Sequence, residues 1–175
     1  MFACSSNTNI IKVESPVRPA GQESVLGLSA NPIDTVRVGF IGLGMRGHDA
    51  VTRIRVIPQA KVAAICDIET VRAERTAKYL ADRGCPETEV YSGEADSWKK
   101  VCESENVDLV YICTDWKTHA PMALYAMECG KHVAIEVPAA TTLEEIWALI
   151  DMSEKTRKHC MMLENCVYDF FEMKT

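Results

Sequence analysis

The feature that most constrains this chain is a regular alternation, over residues 36–165, of short apolar runs and longer amphipathic stretches. The runs span about four to seven residues and the stretches about ten to fifteen, which are the usual lengths of strands and helices. A helix between two strands makes those strands parallel, and helices on both faces bury the sheet on both sides. The pattern therefore predicts an α/β fold with a doubly wound parallel sheet of about six strands.

The individual elements follow from apolar spacing and from the positions of glycine and proline. Continuous apolar runs predict strands over residues 36–41, 61–66, 89–91, 107–113, 132–136 and 160–163. Helical spacing predicts helices over residues 45–57, 69–83, 96–104, 119–129 and 143–156. Thr142 and Glu145 have the spacing of a capping box at the start of the last helix. This order of elements is typical of a Rossmann-type sheet.

The chain before residue 36 has a different composition. Residues 1–35 are rich in Ser, Asn, Pro and Gly and lack periodicity, so we expect a disordered leader there. It begins Met1-Phe2-Ala3-Cys4-Ser5, and a cysteine after a small residue resembles the cleavage site of a bacterial lipoprotein. The charged and apolar parts of a signal peptide are missing, so a cytoplasmic location is predicted by default. A lipid anchor on Cys4, with a periplasmic or cell-envelope location, is the alternative if a signal peptide precedes Met1.

Charge and cysteine content exclude several classes of function. The net charge of -6 argues against a nucleic-acid partner, because phosphate binding needs a basic face. No apolar run reaches the roughly 20 residues of a membrane span. None of the eight cysteines lies in a CxxC pair and no histidine stands at zinc-site spacing, so we expect reduced thiols that pack as small apolar groups, and no metal.

A glycine-rich motif follows the first predicted strand and opens the first predicted helix. It reads Gly42-Leu43-Gly44-Met45-Arg46-Gly47, and we call residues 42–47 the glycine turn. Gly42 permits a tight turn, Gly44 lets a diphosphate approach the backbone, and Gly47 lets the helix pack closely on the strand. The amides near Met45 and Arg46 and the Arg46 cation are expected to face the phosphates. A purely structural turn is the alternative.

An acidic residue ends the second predicted strand. Asp67 lies 20 residues after Gly47, the spacing at which a dinucleotide-binding domain has a carboxylate for the ribose hydroxyls. Its charge would repel the additional phosphate of NADP. The following residues, Ile68-Glu69-Thr70, offer no Arg or Lys for that phosphate. The sequence therefore predicts NAD in preference to NADP.

Three further polar segments follow strands four, five and six. They are Thr114-Asp115-Trp116-Lys117-Thr118-His119, Glu136-Val137-Pro138 and Glu164-Asn165-Cys166-Val167-Tyr168. Ligands of a doubly wound sheet bind beyond the carboxyl ends of its strands, so these segments are expected to line one pocket. His119 or Trp116 alone would more often have a structural role, but the shared edge of the sheet favours function for the group.

These motifs resemble the Gfo/Idh/MocA family of sugar-handling oxidoreductases. Within that family, the glycine turn and the Trp-Lys-Thr-His, Glu-Val-Pro and Glu-Asn-Cys-Val-Tyr runs look most like glycoside hydrolase family 109, the NAD-dependent α-N-acetylgalactosaminidases. The likeness covers residues 35–172. The dehydrogenases of the wider family have Glu-Lys-Pro, whose lysine is the acid/base for a sugar hydroxyl. This chain has Val137 there, and valine cannot transfer a proton, which favours the glycosidase branch.

The resemblance implies site residues and a missing partner domain. It implies NAD contacts at the glycine turn and at Met45, Arg46, Asp67, Trp116, Lys117, Thr118, His119, Glu136, Val137 and Asn165. It also implies that residues 166–175 begin a sheet-rich C-terminal substrate domain that this chain does not complete. The catalytic residues would then lie beyond Thr175, with His119 as a weak candidate within the chain. The chain alone is expected to bind NAD weakly and to have no turnover.

The implied reaction is a redox-assisted elimination on a glycoside or glycan terminus. NAD takes a hydride from C3 of the sugar, a base removes the C2 proton, the aglycone leaves, water adds, and the hydride returns. A sugar or inositol dehydrogenase of the same superfamily is the alternative, and a non-catalytic NAD-binding module is a third. The natural glycan, the aglycone and a homo-oligomeric state are left open by the sequence.

Overall fold

The computed structural model of the chain describes residues 15–85, 87–164 and 172–174. Six strands alternate with five helices, followed by a short 3-10 turn at Glu172–Lys174. The strands are β1 Val36–Ile41, β2 Ala60–Asp67, β3 Glu89–Ser92, β4 Leu109–Ile112, β5 His132–Glu136 and β6 Cys160–Leu163. The helices are α1 Met45–Ile54, α2 Thr70–Ala81, α3 Ser97–Glu103, α4 Trp116–Glu128 and α5 Leu143–Thr156.

The strands form one sheet in the order β3-β2-β1-β4-β5-β6, and every neighbouring pair is parallel. The chain winds outward from β1 to β3, crosses back beside β1 as β4, and winds outward the other way. This arrangement confirms the predicted doubly wound, Rossmann-type fold. It also puts the switch point of the sheet between β1 and β4, where two loops diverge and leave a crevice.

Both faces of the sheet are packed with apolar side chains, as a parallel sheet requires. One core cluster joins β1 and β2 to α1 and α2 through residues such as Phe40, Ile65 and Leu80. The other joins the sheet to α3, α4 and α5 through residues such as Ile112 and Met127. Burying aliphatic and aromatic side chains of this size contributes roughly 1.5–3 kcal/mol each.

Two helix ends differ from the prediction by three residues, for local reasons. α4 begins at Trp116, three residues before the predicted start, because the Asp115 side chain caps it by accepting a hydrogen bond from the Lys117 amide. α1 ends at Ile54 instead of residue 57, and the Ile57 amide closes a last turn onto the Ile54 carbonyl. A residue before proline avoids helical backbone angles, which stops the helix short of Pro58.

The described part of the predicted leader, residues 15–35, contains no helix or strand but contacts α5. The Arg18 guanidinium makes two hydrogen bonds, of 2.8 and 2.9 Å, to the Glu154 carboxylate. Arg157, which follows the last residue of α5, donates a hydrogen bond to the Glu23 carbonyl oxygen at 2.8 Å. Composition alone does not predict this contact with α5. Disorder is also predicted for residues 1–14, which lie outside the described residues.

Within the described segments, no helix combines the length and the apolar character that crossing a membrane requires.

The predicted capping box at the start of α5 is confirmed, and it makes a testable contribution to stability. The Thr142 hydroxyl accepts from the Glu145 amide at 3.2 Å, and the Glu145 carboxylate accepts from the Thr142 amide at 3.3 Å. We expect Thr142→Ala to lower the free energy of unfolding by about 1 kcal/mol. Urea denaturation followed by circular dichroism measures the change. Thr142→Ser keeps the hydroxyl and is the matched control; equal losses in both variants would contradict the capping role.

Candidate functional site

The carboxyl ends of β1, β2 and β4 open into one cleft of about 410 Å³ at the switch point of the sheet. It brings the glycine turn, the acid that ends β2 and the loop after β4 together, as the sequence predicts. The lining residues include Gly42, Gly44, Asp67, Ile68, Arg72, Trp98, Thr114, Asp115 and Thr118. The sequence interpretation missed Arg72 and Trp98, which reach the cleft from α2 and α3.

Gly42 makes the sharp turn out of β1. Its φ of 90° lies in the left-handed region that side chains disfavour, and a Cβ there would lie 2.6 Å from the Cys113 carbonyl oxygen. Its amide donates to the Cys66 carbonyl at 2.8 Å, which continues the contact between β1 and β2 past the end of the strand. The tight turn predicted for this glycine is confirmed.

The other two glycines of the turn differ in what surrounds them. A Cβ on Gly47 would lie 1.9 Å from the Gly42 carbonyl oxygen. The backbone of α1 therefore lies too close to the end of β1 for any residue other than glycine to fit at position 47. A Cβ on Gly44 would meet nothing within 4 Å. Among the described residues, therefore, no contact demands glycine at position 44, and the space in front of it is open to a ligand.

Asp67 is buried beneath the glycine turn, with its side chain 4% exposed. One carboxylate oxygen accepts from the Leu43 amide at 2.6 Å and the other accepts from the Glu69 amide at 2.8 Å. The Arg72 guanidinium lies 3.9 Å from the same carboxylate and 3.6 Å from that of Glu69. Asp67 is the last residue of β2, and its hydrogen bond with the Leu43 amide also stabilises the glycine turn.

A second arginine of α2 also reaches the glycine turn. The Arg75 Nη2 donates to the Leu43 carbonyl oxygen at 3.2 Å. Arg72 and Arg75 are three residues apart, so they share one face of the helix. That face, with Gly44, Met45 and His48, lines a separate recess of about 370 Å³ beside the turn. Helical periodicity around α2 was the sequence signal that could have identified both arginines.

Arg46 extends away from the turn toward the end of β5. Its Nε donates to the Glu136 Oε1 at 2.9 Å, and the Tyr111 hydroxyl donates to the same oxygen at 2.9 Å. Burial, and then the bond to Glu136, raise the pKa of Tyr111, which therefore stays protonated as a donor. The predicted contact of Arg46 with cofactor phosphates stays a prediction, while the structure shows it paired with another predicted site residue.

The loop after β4 supplies polar groups to the cleft. The Thr118 hydroxyl donates to the Thr114 hydroxyl at 2.8 Å, and both residues line the cleft with Asp115. Trp116, the first residue of α4, is 63% exposed, and the Lys117 side chain is also exposed. Neither residue is among those that line the cleft, so the cofactor contacts predicted for Trp116 and Lys117 stay predictions.

His119 is 1% exposed and held between two carbonyl oxygens. Its Nδ1 lies 2.7 Å from the Pro138 oxygen and its Nε2 lies 3.1 Å from the Thr114 oxygen. A ring nitrogen that carries a hydrogen donates to the carbonyl oxygen it faces, and both nitrogens are directed at backbone atoms. This environment favours a structural role, tying the loop after β4 to the turn after β5, over the weak catalytic assignment.

The segment after β5 is described completely and the one after β6 only at Glu164, and none of these described residues lines the cleft. Val137 follows β5 and is about one-third exposed, next to the Arg46–Glu136 pair. Its apolar side chain has no group that could transfer a proton. Asn165 lies outside the described residues.

Two cysteines, Cys66 and Cys113, lie next to the glycine turn. Burial raises the pKa of Cys66 and that of Cys113 to about 12, so both stay protonated at neutral pH. The described cysteines form no disulfide, and their reduced state stays a prediction.

Comparison with known families gives a match to most of the chain. The family model described as "Oxidoreductase family, NAD-binding Rossmann fold", the Gfo/Idh/MocA model, matches residues 36–164. The matched range extends from β1 to just past β6, so it contains every element that lines the cleft.

Two curated relatives are similar to the chain over most of its length. One is a glycosyl hydrolase family 109 protein of Bacteroides fragilis, 58% identical over 180 aligned residues that include 100% of this chain and 39% of the relative. The other is a glycosyl hydrolase family 109 protein of Porphyromonas gingivalis, 60% identical over 94% of this chain and 35% of the relative. The chain therefore spans less than two-fifths of the length of either.

Among solved structures, the crystal structure of an NAD-binding protein from Listeria innocua is similar in fold. It has a TM-score of 0.66 and 27% sequence identity, over 78% of this chain and 36% of that one.

The contrast between the glycines at positions 47 and 44 can be tested by stability alone. We expect Gly47→Ala to lower the free energy of unfolding by roughly 2 kcal/mol or more, since the added methyl group would meet the Gly42 carbonyl oxygen. Gly44→Ala is the matched control and should stay within about 1 kcal/mol of wild type. Urea denaturation of both variants measures this. Equal effects would contradict the close approach of α1 to β1.

Proposed function

Because this chain belongs to the Gfo/Idh/MocA oxidoreductase family and carries its nicotinamide dinucleotide-binding domain, we propose that it binds NAD at the glycine turn for a glycosidase of the family 109 type. The observation that carries the proposal is the open backbone at Gly44, directly before the N-terminus of α1 and above the buried carboxylate of Asp67. The remaining residues of the cleft fit the other parts of the same cofactor.

The glycine turn suits a diphosphate. The first amides of α1, from Met45 on, have no carbonyl partner within the helix and point toward its N-terminal end. A diphosphate in front of Gly44 would accept hydrogen bonds from these amides and gain from the helix dipole. A side chain at position 44 would occupy the space that the phosphate needs, although it would meet no protein atom.

The end of β2 suits an unphosphorylated ribose, which supports NAD over NADP. The Asp67 carboxylate lies in the wall of the cleft, where its two oxygens accept hydrogen bonds from the Leu43 and Glu69 amides. A 2′-phosphate on the ribose would meet that charge at close range, where water is largely excluded. Arg72 offsets part of the repulsion, but it is shared between Asp67 and Glu69. The adenine would lie along Ile68 and Trp98, which form the apolar side of the cleft.

The nicotinamide end would face the loop after β4 and the turn after β5. Thr114, Thr118 and the Arg46–Glu136 pair border that region. NAD bound here supplies a hydride acceptor, and in a glycosidase the hydride returns to the sugar within one turnover. Val137 cannot move a proton to or from a sugar hydroxyl, so the proton transfers would be made by residues outside the part of the chain that the structure describes.

Net dehydrogenation of a sugar or inositol is the second candidate. The family description as an oxidoreductase favours it, whereas Val137 and the high identity to family 109 relatives favour the glycosidase. A small glycoside as the partner, and the cytoplasmic location with its lipoprotein alternative, stay predictions from the sequence.

Cofactor preference tests the ribose part of the proposal. We expect the chain to bind NAD more tightly than NADP in isothermal titration calorimetry. Asp67→Asn should lower the ratio of the NADP to the NAD dissociation constant by about tenfold, because one charge is removed next to the 2′ position. Asp82→Asn makes the same chemical change at an exposed site at the end of α2 and should leave the ratio unchanged. An unaltered ratio in Asp67→Asn would contradict the proposed role.

The reaction itself is tested on the complete protein that carries this domain. We expect hydrolysis of an α-N-acetylgalactosaminide in D₂O to give a product with deuterium at C2, because elimination removes that proton before water adds. Mass spectrometry or proton NMR of the released sugar detects the exchange. A hydrolysis product without deuterium at C2 would exclude elimination, and steady accumulation of NADH would identify the dehydrogenase instead.

A further inference from the structure

We propose that Arg75 of α2 is a positioning residue for cofactor binding, which fixes the glycine turn by holding the carbonyl group of Leu43. The inference rests on the proposed binding of NAD at that turn. Arg75 stands eight residues beyond Asp67, outside the glycine motif and outside every segment that the sequence predicts to bind the cofactor.

Leu43 is held at each of its polar groups and by its side chain. Its amide donates to the Asp67 carboxylate at 2.6 Å, and its carbonyl accepts from Arg75 Nη2 at 3.2 Å. Its side chain is 0% exposed and packs in the core beneath α1 and α2. The turn is therefore attached to β2 through Asp67, to α2 through Arg75 and to the core through the leucine side chain.

This attachment matters because Leu43 lies between two glycines. Glycine has few steric limits on its backbone angles, so the peptide units on both sides of Leu43 could rotate unless something holds them. A trans peptide unit is planar, and its carbonyl and amide point in opposite directions. Holding the Leu43 carbonyl toward α2 therefore aims the Gly44 amide away from α2. That amide adjoins the open space in which the diphosphate is proposed to lie.

Arg75 could instead act by touching a phosphate directly. Its side chain is exposed and borders the recess that also contains Gly44, Met45 and Arg72. The two roles differ in the state without cofactor. A positioning residue restrains the turn before the cofactor binds, whereas a direct phosphate contact has no effect on the turn until the cofactor is present.

Three variants separate these roles. Arg75→Met keeps the aliphatic stem and the helix propensity but removes the donor and the charge. Arg75→Lys keeps a charged donor. Lys78→Met makes the same change as Arg75→Met at an exposed position one turn further along α2, and it is the matched control for loss of one cation from the helix.

The first measurement is amide hydrogen exchange of the cofactor-free chain over residues 42–47. We expect exchange in this segment to be faster in Arg75→Met than in wild type, and unchanged in Lys78→Met. Arg75→Lys should restore most of the protection. Unchanged exchange in Arg75→Met overturns the proposal, whatever happens to cofactor binding.

The second measurement is the dissociation constant for NAD, ADP and adenosine. Loss of one hydrogen bond at the turn should weaken NAD and ADP about fivefold in Arg75→Met and leave adenosine, which lacks the diphosphate, within about twofold. Weaker diphosphate binding with unchanged exchange would identify a direct phosphate contact and overturn positioning. Unchanged binding of NAD and ADP also overturns it. If wild type fails to bind NAD, the proposed function fails, while the exchange measurement still decides whether Arg75 holds the turn.

Discussion

The site depends on the close approach of α1 to the end of β1. Gly47 lies so near the Gly42 carbonyl oxygen that a Cβ would be 1.9 Å away, and this approach brings the start of α1 directly above the sheet. Because α1 lies this close to the end of β1, one cleft contains the helix N-terminus, the Asp67 carboxylate and the loop after β4. A helix displaced by the width of one methyl group would carry its free amides away from the carboxyl ends of the strands.

Two carboxylates hold this arrangement together, and each has a different set of donors. Asp67 accepts from two backbone amides, with Arg72 at a longer distance. Glu136 accepts from Arg46 and from Tyr111, so it links α1, β4 and β5. Buried charges are stable only when such donors accompany them. The donors therefore fix the orientation of both carboxylates before any ligand arrives.

Much of the fold could be predicted because its signals are local. Strand and helix positions follow from apolar spacing, and the capping box of α5 follows from Thr142 and Glu145 alone. The glycine turn and Asp67 could be assigned because their spacing is set by one strand-helix-strand unit. The sequence predicts the start of α4 three residues late, because the polar run from Thr114 resembles a binding loop, whereas the Asp115 side chain caps the helix.

The sequence by itself determined the order of strands and helices, the glycine turn and the acid at the end of β2, because each depends on neighbouring residues. Only the tertiary structure decided which partners the long polar side chains take. Arg46 pairs with Glu136, 90 residues away, and Arg75 holds Leu43, 32 residues away. His119 lies between the carbonyl oxygens of two separate loops. Such contacts depend on which strands become neighbours in the sheet, and a flexible side chain has several possible partners within reach until packing selects one.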